Sequence, residues 1–172
     1  MASIGHIAVG MAFGRAFSRD RTISRRAMIA FSVVSMWPDL DVIGFSFGVH
    51  YGDPWGHRGA THSILLALVA GALSFAVAKR FGLPVARTVI FTAVVALSHG
   101  LLDTMTYGGG LGCALLWPFS THRFWAPLRF IPIAPIGLGV LSPVGIHVMM
   151  AELLIFLPFW AYALMPRREA KT

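Results

Sequence analysis

The stretch HRGATHSILLALVAGALSFAVAKR, residues 57–80, sets two imidazoles and a guanidinium at the mouth of a run that otherwise leaves water, and closes that run with two cations. A helix crossing a hydrocarbon core needs about 20 apolar residues, with about 17–25 the working range. Ser63–Ala78 nearly reaches that length, and Val85–Leu102 and Pro143–Leu164 do so as well. Ile4–Phe17 and Ala27–Trp37 are apolar but shorter, and reach only part-way.

The whole chain has the same character. It has 172 residues, 56% hydrophobic and 12% charged, and a mean hydropathy of +0.72, which points to one membrane-embedded domain over residues 1–172. The first apolar run starts almost at Met1, has no basic leader and carries His6, so it reads as retained structure and not as a cleaved signal. A single cysteine, Cys113, excludes an internal disulfide and a cysteine-rich zinc module. Metal chemistry in this chain must rest on histidine and carboxylate.

The net charge of +7 raises nucleic acid as a partner, but its distribution argues against one. Arg15, Arg19, Arg21, Arg25 and Arg26 fill one junction, Lys79, Arg80 and Arg87 flank a second, and Arg167, Arg168 and Lys171 form the tail. Positive charge gathered at segment ends is the pattern that orients membrane helices, basic side inward. The expected fold is therefore an all-α integral bundle of about five hydrophobic helices, multi-pass in the plasma (inner) membrane, with every basic cluster on the cytoplasmic side. The opposite helix ends then lie together on the non-cytoplasmic side. They carry His6, the WPDLD of 37–41, HRGATHS and the SHGLLD of 98–103. Residues 104–142 hold six glycines and four prolines and read as a long connection before the last helix, on the polar side and placed to cover it.

Several residues at that end have the types that bind metals. His99 and Asp103 are four apart and share a helix face. Pro38 disfavours helical geometry for Trp37 and is expected to end helix 2, leaving Asp39 and Asp41 on an extended step, with Asp39 the stronger ligand candidate. His62 falls in the first turn of helix 3, and His57 reaches in from the preceding loop. Each residue also has a plain structural role open to it: His6 as a hydrogen-bonded core histidine, the aspartates as turn residues, His62 or Ser63 as a helix cap. Jointly those roles weaken, because aspartate inside a spanning segment costs about 2.5–3.5 kcal/mol on insertion scales and ionisable groups at membrane depth pair or serve function.

Arg58 either holds an anion beside the metal site or pairs with Asp53. Glu152 lies deep in the last helix as ligand, general base or partner of a buried arginine. His50, Asp53 and His122 read as peripheral, and His147 lies on a different helix face from Glu152. Gly10 and Gly14 form a small-xxx-small pair suited to close helix packing, which draws His6 toward its partners.

His6, PDLD, HRGATHS, SHGLLDTMT and WPFS, in that order, resemble the YdjM-type family of inner-membrane-associated metal-dependent hydrolases, also called the LexA-binding family. The resemblance runs from His6 to about Ser120. It implies a site built from His6, Asp39, Asp41, His57, Arg58, His62, His99 and Asp103, with Glu152 the acidic residue of the last helix. The family is also distantly similar to zinc-dependent phospholipases C and P1-type nucleases, which implies phosphoester hydrolysis. Nothing in these residues speaks to binding LexA.

The reading is a membrane-bound metal-dependent hydrolase. His6, Asp39, His57, His62, His99 and Asp103 would be metal ligands, and Asp41, Glu152 and Arg58 catalytic residues. The metal would be zinc, with manganese or iron admitted, and the partners membrane lipid and an anionic small-molecule or lipid substrate. A metal or proton transporter and a non-catalytic membrane protein with a structural polar cluster are the alternatives.

Overall fold

The structure, a computed structural model, describes residues 3–166; the basic tail of Arg167, Arg168 and Lys171 lies outside the described residues. Two antiparallel hairpins carry most of the helix. In the first, α1 (Ser3–Phe17) packs on α2 (Arg21–Met36), whose N-cap Asp20 accepts the Ile23 amide at 2.8 Å. A Cβ on Gly10 would sit 2.5 Å from the Phe31 carbonyl oxygen, and one on Gly14 would sit 2.2 Å from Met28 Cα. The glycine pair thus lets the two backbones touch, as the small-xxx-small spacing predicts. The second hairpin joins α3 (Ile64–Arg80) to α4 (Val85–Thr104). Ser63, not His62, caps α3, its hydroxyl accepting the Leu66 amide at 3.1 Å; His62 belongs to a separate 3₁₀ turn, Ala60–His62.

Three expectations are corrected. Helix 2 does not end at Trp37. It continues as 3₁₀ turns over Trp37–Phe47 and stops only at Gly48, whose φ of +81° suits a glycine C-cap. Proline is tolerated at the start of a helical run, where its missing N–H breaks no bond, and Pro38 is buried there while Trp37 stays helical. Arg21–Phe47 is therefore one 27-residue stretch, not a short one.

The last helix is broken as well. α5 (Pro143–Ile155) and α6 (Leu157–Leu164) meet at 64°, because Pro158 lacks an amide proton and its ring opposes the carbonyl four residues earlier. Finally, the long connection is not free of strand. Thr106–Tyr107 (β1) pairs in parallel with Ile131–Pro132 (β2), so the connection folds back on its own start and brings residues 133–144 beside the polar end.

Among the described residues two helical stretches are long and apolar enough to cross a membrane, Arg21–Phe47 and Val85–Thr104, and the bent pair makes a third if it acts as one span. α3 has 17 residues, and its Leu68, Leu73 and Val77 side chains face outward, half or more exposed. The basic junctions do gather at one end: Arg87 donates to the Ala16 carbonyl at 2.6 Å, and Arg15 to the Ala163 carbonyl at 3.2 Å. Just inside that end Phe17, Ala27, Phe31 and Val95 form an apolar cluster against Phe13 and Phe91.

Candidate metal centre

At the other end the polar residues meet. α4 presents His99 and Asp103 on one buried face, both fully enclosed. Gly100 lets the 3₁₀ turn Ala60–His62 lie on α4, since a Cβ there would stand 2.4 Å from the His62 carbonyl oxygen. His62 Nε2 consequently comes within 3.1 Å of His99 Nε2. The Trp37–Phe47 segment adds Asp39, whose Oδ1 is 3.3 Å from His99 Nε2 and 3.6 Å from His62 Nε2. Asp103 Oδ2 is 3.6 Å from His62 Nε2 and 4.0 Å from His99 Nε2.

These four donors fit a tetrahedral ion. Ligands at zinc–nitrogen lengths of about 2.0–2.1 Å stand about 3.3 Å apart in a tetrahedron; the edges that involve a histidine run from 3.1 to 4.0 Å, and all four donor atoms lie within 4.8 Å of one another. The tautomers agree. His99 Nδ1 lies 2.6 Å from the Ser35 carbonyl oxygen, which can only accept, so Nδ1 carries the proton and Nε2 keeps its lone pair. Two imidazole nitrogens at 3.1 Å need either a hydrogen-bonding proton or a metal ion between them. Burial disfavours charge on His62, but hydrogen bonds with Asp103, Asp39 and Asp41 outweigh it, and its pKa is pushed up to about 10. The carboxylates around His62 thus favour positive charge at that point.

The remaining candidates surround this set. His6 stacks on His99, ring centroids 3.6 Å apart, with Nε2 3.4 Å from Asp103 Oδ1. Its two ring nitrogens have no hydrogen-bond partner among the described residues. Asp41 does not project beside Asp39 as an extended step would have it; on 3₁₀ turns the two carboxylates straddle His62, Asp39 at Nε2 and Asp41 at Nδ1, 3.3 Å away. Asp41 also holds His57 Nδ1 at 2.8 Å and accepts the Thr61 hydroxyl at 2.7 Å. Asp41, His57 and His62 form a second group of metal-ligand type.

Arg58 is buried with φ +63°, a left-handed backbone that non-glycine residues seldom adopt. Its amide donates to Asp41 Oδ2 at 3.2 Å and its carbonyl accepts the Ala114 amide at 2.9 Å, which hold that conformation. The guanidinium Nε lies 3.0 Å from Asp103 Oδ2, and Nη1 donates to Thr106 and to the Leu111 carbonyl. Asp103, not Asp53, is its ion-pair partner; Asp53 pairs with exposed His50. Glu152 is fully buried and accepts the Gly5 amide at 3.0 Å, one residue before His6, where a carboxylate also suits the α1 N-terminus. His147 is exposed. Burial pushes the Cys113 thiol up, away from the thiolate that binds metals.

Sequence reasoning missed four supports. Thr61, inside HRGATHS, steadies Asp41. Ser35 offers only its carbonyl, which no side-chain pattern reveals. Thr106 and Arg123 come from the connection; Arg123 donates to the carbonyls of Tyr51, Asp53 and His57 and so ties the HRG loop down.

Comparison with known proteins identifies the family. Residues 1–170 match the family described as YdjM inner membrane protein. Inner membrane protein YbcI of Escherichia coli (strain K12) is 40% identical over 158 residues, covering 90% of each chain. No solved structure matches.

Proposed function

The chain belongs to the YdjM inner membrane protein family, and on that premise we propose that it is a metal-dependent hydrolase acting on a phosphoester. The observation that carries the reading is the buried convergence of Asp39, His62, His99 and Asp103 on one point, with both histidines presenting Nε2 inward. These four residues would hold the ion, with His6 and His57 flanking them. A divalent cation held there, zinc by its ligand types, supplies Lewis-acid polarisation of a phosphoryl oxygen and an acidified water near neutral pH.

The chain's own groups do the rest. Asp41 orients His62 through Nδ1 and pairs with His57 Nδ1, leaving His57 Nε2 to take or give a proton at the cavity that it lines. Arg58 neutralises Asp103, so that an anionic substrate beside the site meets less repulsion from that carboxylate. Glu152 fixes the start of α1, and with it His6. The buried polar side chains between the site and the basic end on α2 and α4, Ser35, Thr92, Thr88 and Ser24, are neutral hydroxyls beside an apolar cluster; this favours hydrolysis over transport of an ion by titratable relays. By the positive-inside bias the site faces the non-cytoplasmic side of a multi-pass chain.

Metal analysis of detergent-purified protein is expected to give about one zinc per chain, and almost none in His62→Ala and His99→Ala, which remove ligands from a four-ligand site. The loaded protein releases phosphate or alcohol from phosphomonoester or phosphodiester substrates, and the metal-free variants do not. Equal metal content in all three proteins, or no turnover with metal bound, would sink the reading. Orientation is read by labelling single cysteines at Arg25 and His50, both exposed; the first is expected inside and the second outside.

A further inference from the structure

A cavity of about 800 Å³, within the usual range of ligand sites, opens beside the candidate metal centre. Its polar lining is clustered: Asp39, Tyr51 and His57 stand together, with the Tyr51 and His57 rings 5.2 Å apart and His57 Nδ1 4.0 Å from Asp39 Oδ1. Most of the remaining lining is apolar, from Leu40, Val42, Ile133, Ile136, Val140 and Val144. Gly108, Gly109 and Gly110 line it too and bring no side chains. The cavity therefore pairs a small charged patch with a much larger apolar wall, the profile of a ligand with a polar head and a long tail.

Its rim and its charge point to the source of that ligand. Leu40, Ile136 and Val144 are 61%, 44% and 64% exposed, and Leu138 and Leu141 beside them are exposed as well. In a membrane protein such a continuous apolar rim faces acyl chains, not water. Among the described residues Arg58 is the one lysine or arginine in the lining, and Asp103, Thr106 and the Leu111 carbonyl engage its guanidinium. A soluble anion arriving from water would meet little electrostatic steering. A lipid already confined to the bilayer needs none.

We infer that the substrate is a membrane amphiphile with an anionic phosphoryl headgroup, which enters from the bilayer past Leu40, Ile136 and Val144, lays its chain on residues 133–144 and brings its headgroup to Asp39 and His57. The inference rests on the metal-dependent reading above for the headgroup's place, and on the apolar lining alone for the tail.

The test uses the full chain in neutral phosphatidylcholine nanodiscs, with zinc added and a dodecyl phosphate carrying a diazirine near its terminal methyl group. Photolysis and peptide mapping are expected to place adducts on residues 133–144, about ten-fold above those of the matching diazirine dodecanol, the factor given by about 1.4 kcal/mol of headgroup binding. Excess unlabelled dodecyl phosphate abolishes that labelling, and Val140→Trp, which fills the cavity, lowers it. Adducts on outward-facing Leu68 and Leu73 stay unchanged in both cases.

Adducts spread over the outer faces whatever the headgroup, or insensitive to the competitor, overturn the inference; the competitor decides even if Val140→Trp does not fold. Hydrolysis is read separately, as phosphate released from p-nitrophenyl phosphate and from dodecyl phosphate. Selective labelling without release from either sinks the hydrolase reading and upholds the lipid site. Release from both with unselective labelling does the reverse.

Discussion

α1, α2 and α4 run the length of the molecule and make two unlike ends. At the basic end they meet through glycine contacts and interlocking phenylalanines: Phe17 and Phe31 stand edge to face at 5.4 Å, and Phe17 and Phe91 at 5.7 Å. The arginines there lie at the rim and donate to helix-end carbonyls. At the polar end the same helices bury His6, His99 and Asp103, joined by Asp39 from the 3₁₀ continuation of α2 and by Arg58 and His62 from the segment before α3. Apolar packing needs only shape and volume. Buried charge is tolerable only when each group has a partner, so the polar end is fixed by its pairings and the basic end by its surfaces.

The sharpest way to break this contrast is Asp103→Ala. It strands Arg58 in the interior and removes a ligand, and loss of one partner of a buried pair costs about 3–5 kcal/mol. Thermal unfolding in detergent should show that loss, with zinc content near zero; retention of either stability or metal would contradict the pairing. Gly14→Leu attacks the other end. Its side chain would collide with the Met28 backbone, and overpacking costs about 1–3 kcal/mol. The folded fraction should keep its zinc, which separates packing from site. Loss of metal in proportion to stability would mean the two ends are not independent.

Glu152→Gln gives the smallest effect. The amide oxygen still accepts from Gly5, and removing a charge near a helix N-terminus costs about 0.3–1 kcal/mol. Zinc content should not change; a clear drop would make Glu152 a ligand.

The legible parts of the fold were those set by local chemistry. His99 and Asp103 four residues apart had to share a face, and both are buried on it. Gly10 and Gly14 announced the α1–α2 contact. The basic junctions told which helix ends lie together, and with that the convergence of PDLD, HRGATHS and SHGLLD. The errors came from elements whose course depends on distant contacts. Pro38 was expected to stop a helix that instead continues in 3₁₀ turns, with Pro38 tolerated at their start, and Pro158, unremarked within its apolar run, bends the last one. Arg58 was weighed as an anion holder or as a partner of Asp53, yet its ion pair is with Asp103, 45 positions away in the chain.

HRGATHS shows where the division falls. The sequence alone determined that this stretch heads an apolar helix, with His62 or Ser63 at its cap and polar groups kept at one end, because those features depend on neighbours within a turn or two. Only the tertiary structure decided that His62 shares a point with His99, Asp39 and Asp103 while Asp41 orients it and holds His57. That choice depends on Gly100 admitting the His62 backbone and on 3₁₀ turns aiming the two aspartates to either side of one ring, distances of an ångström that no local pattern encodes.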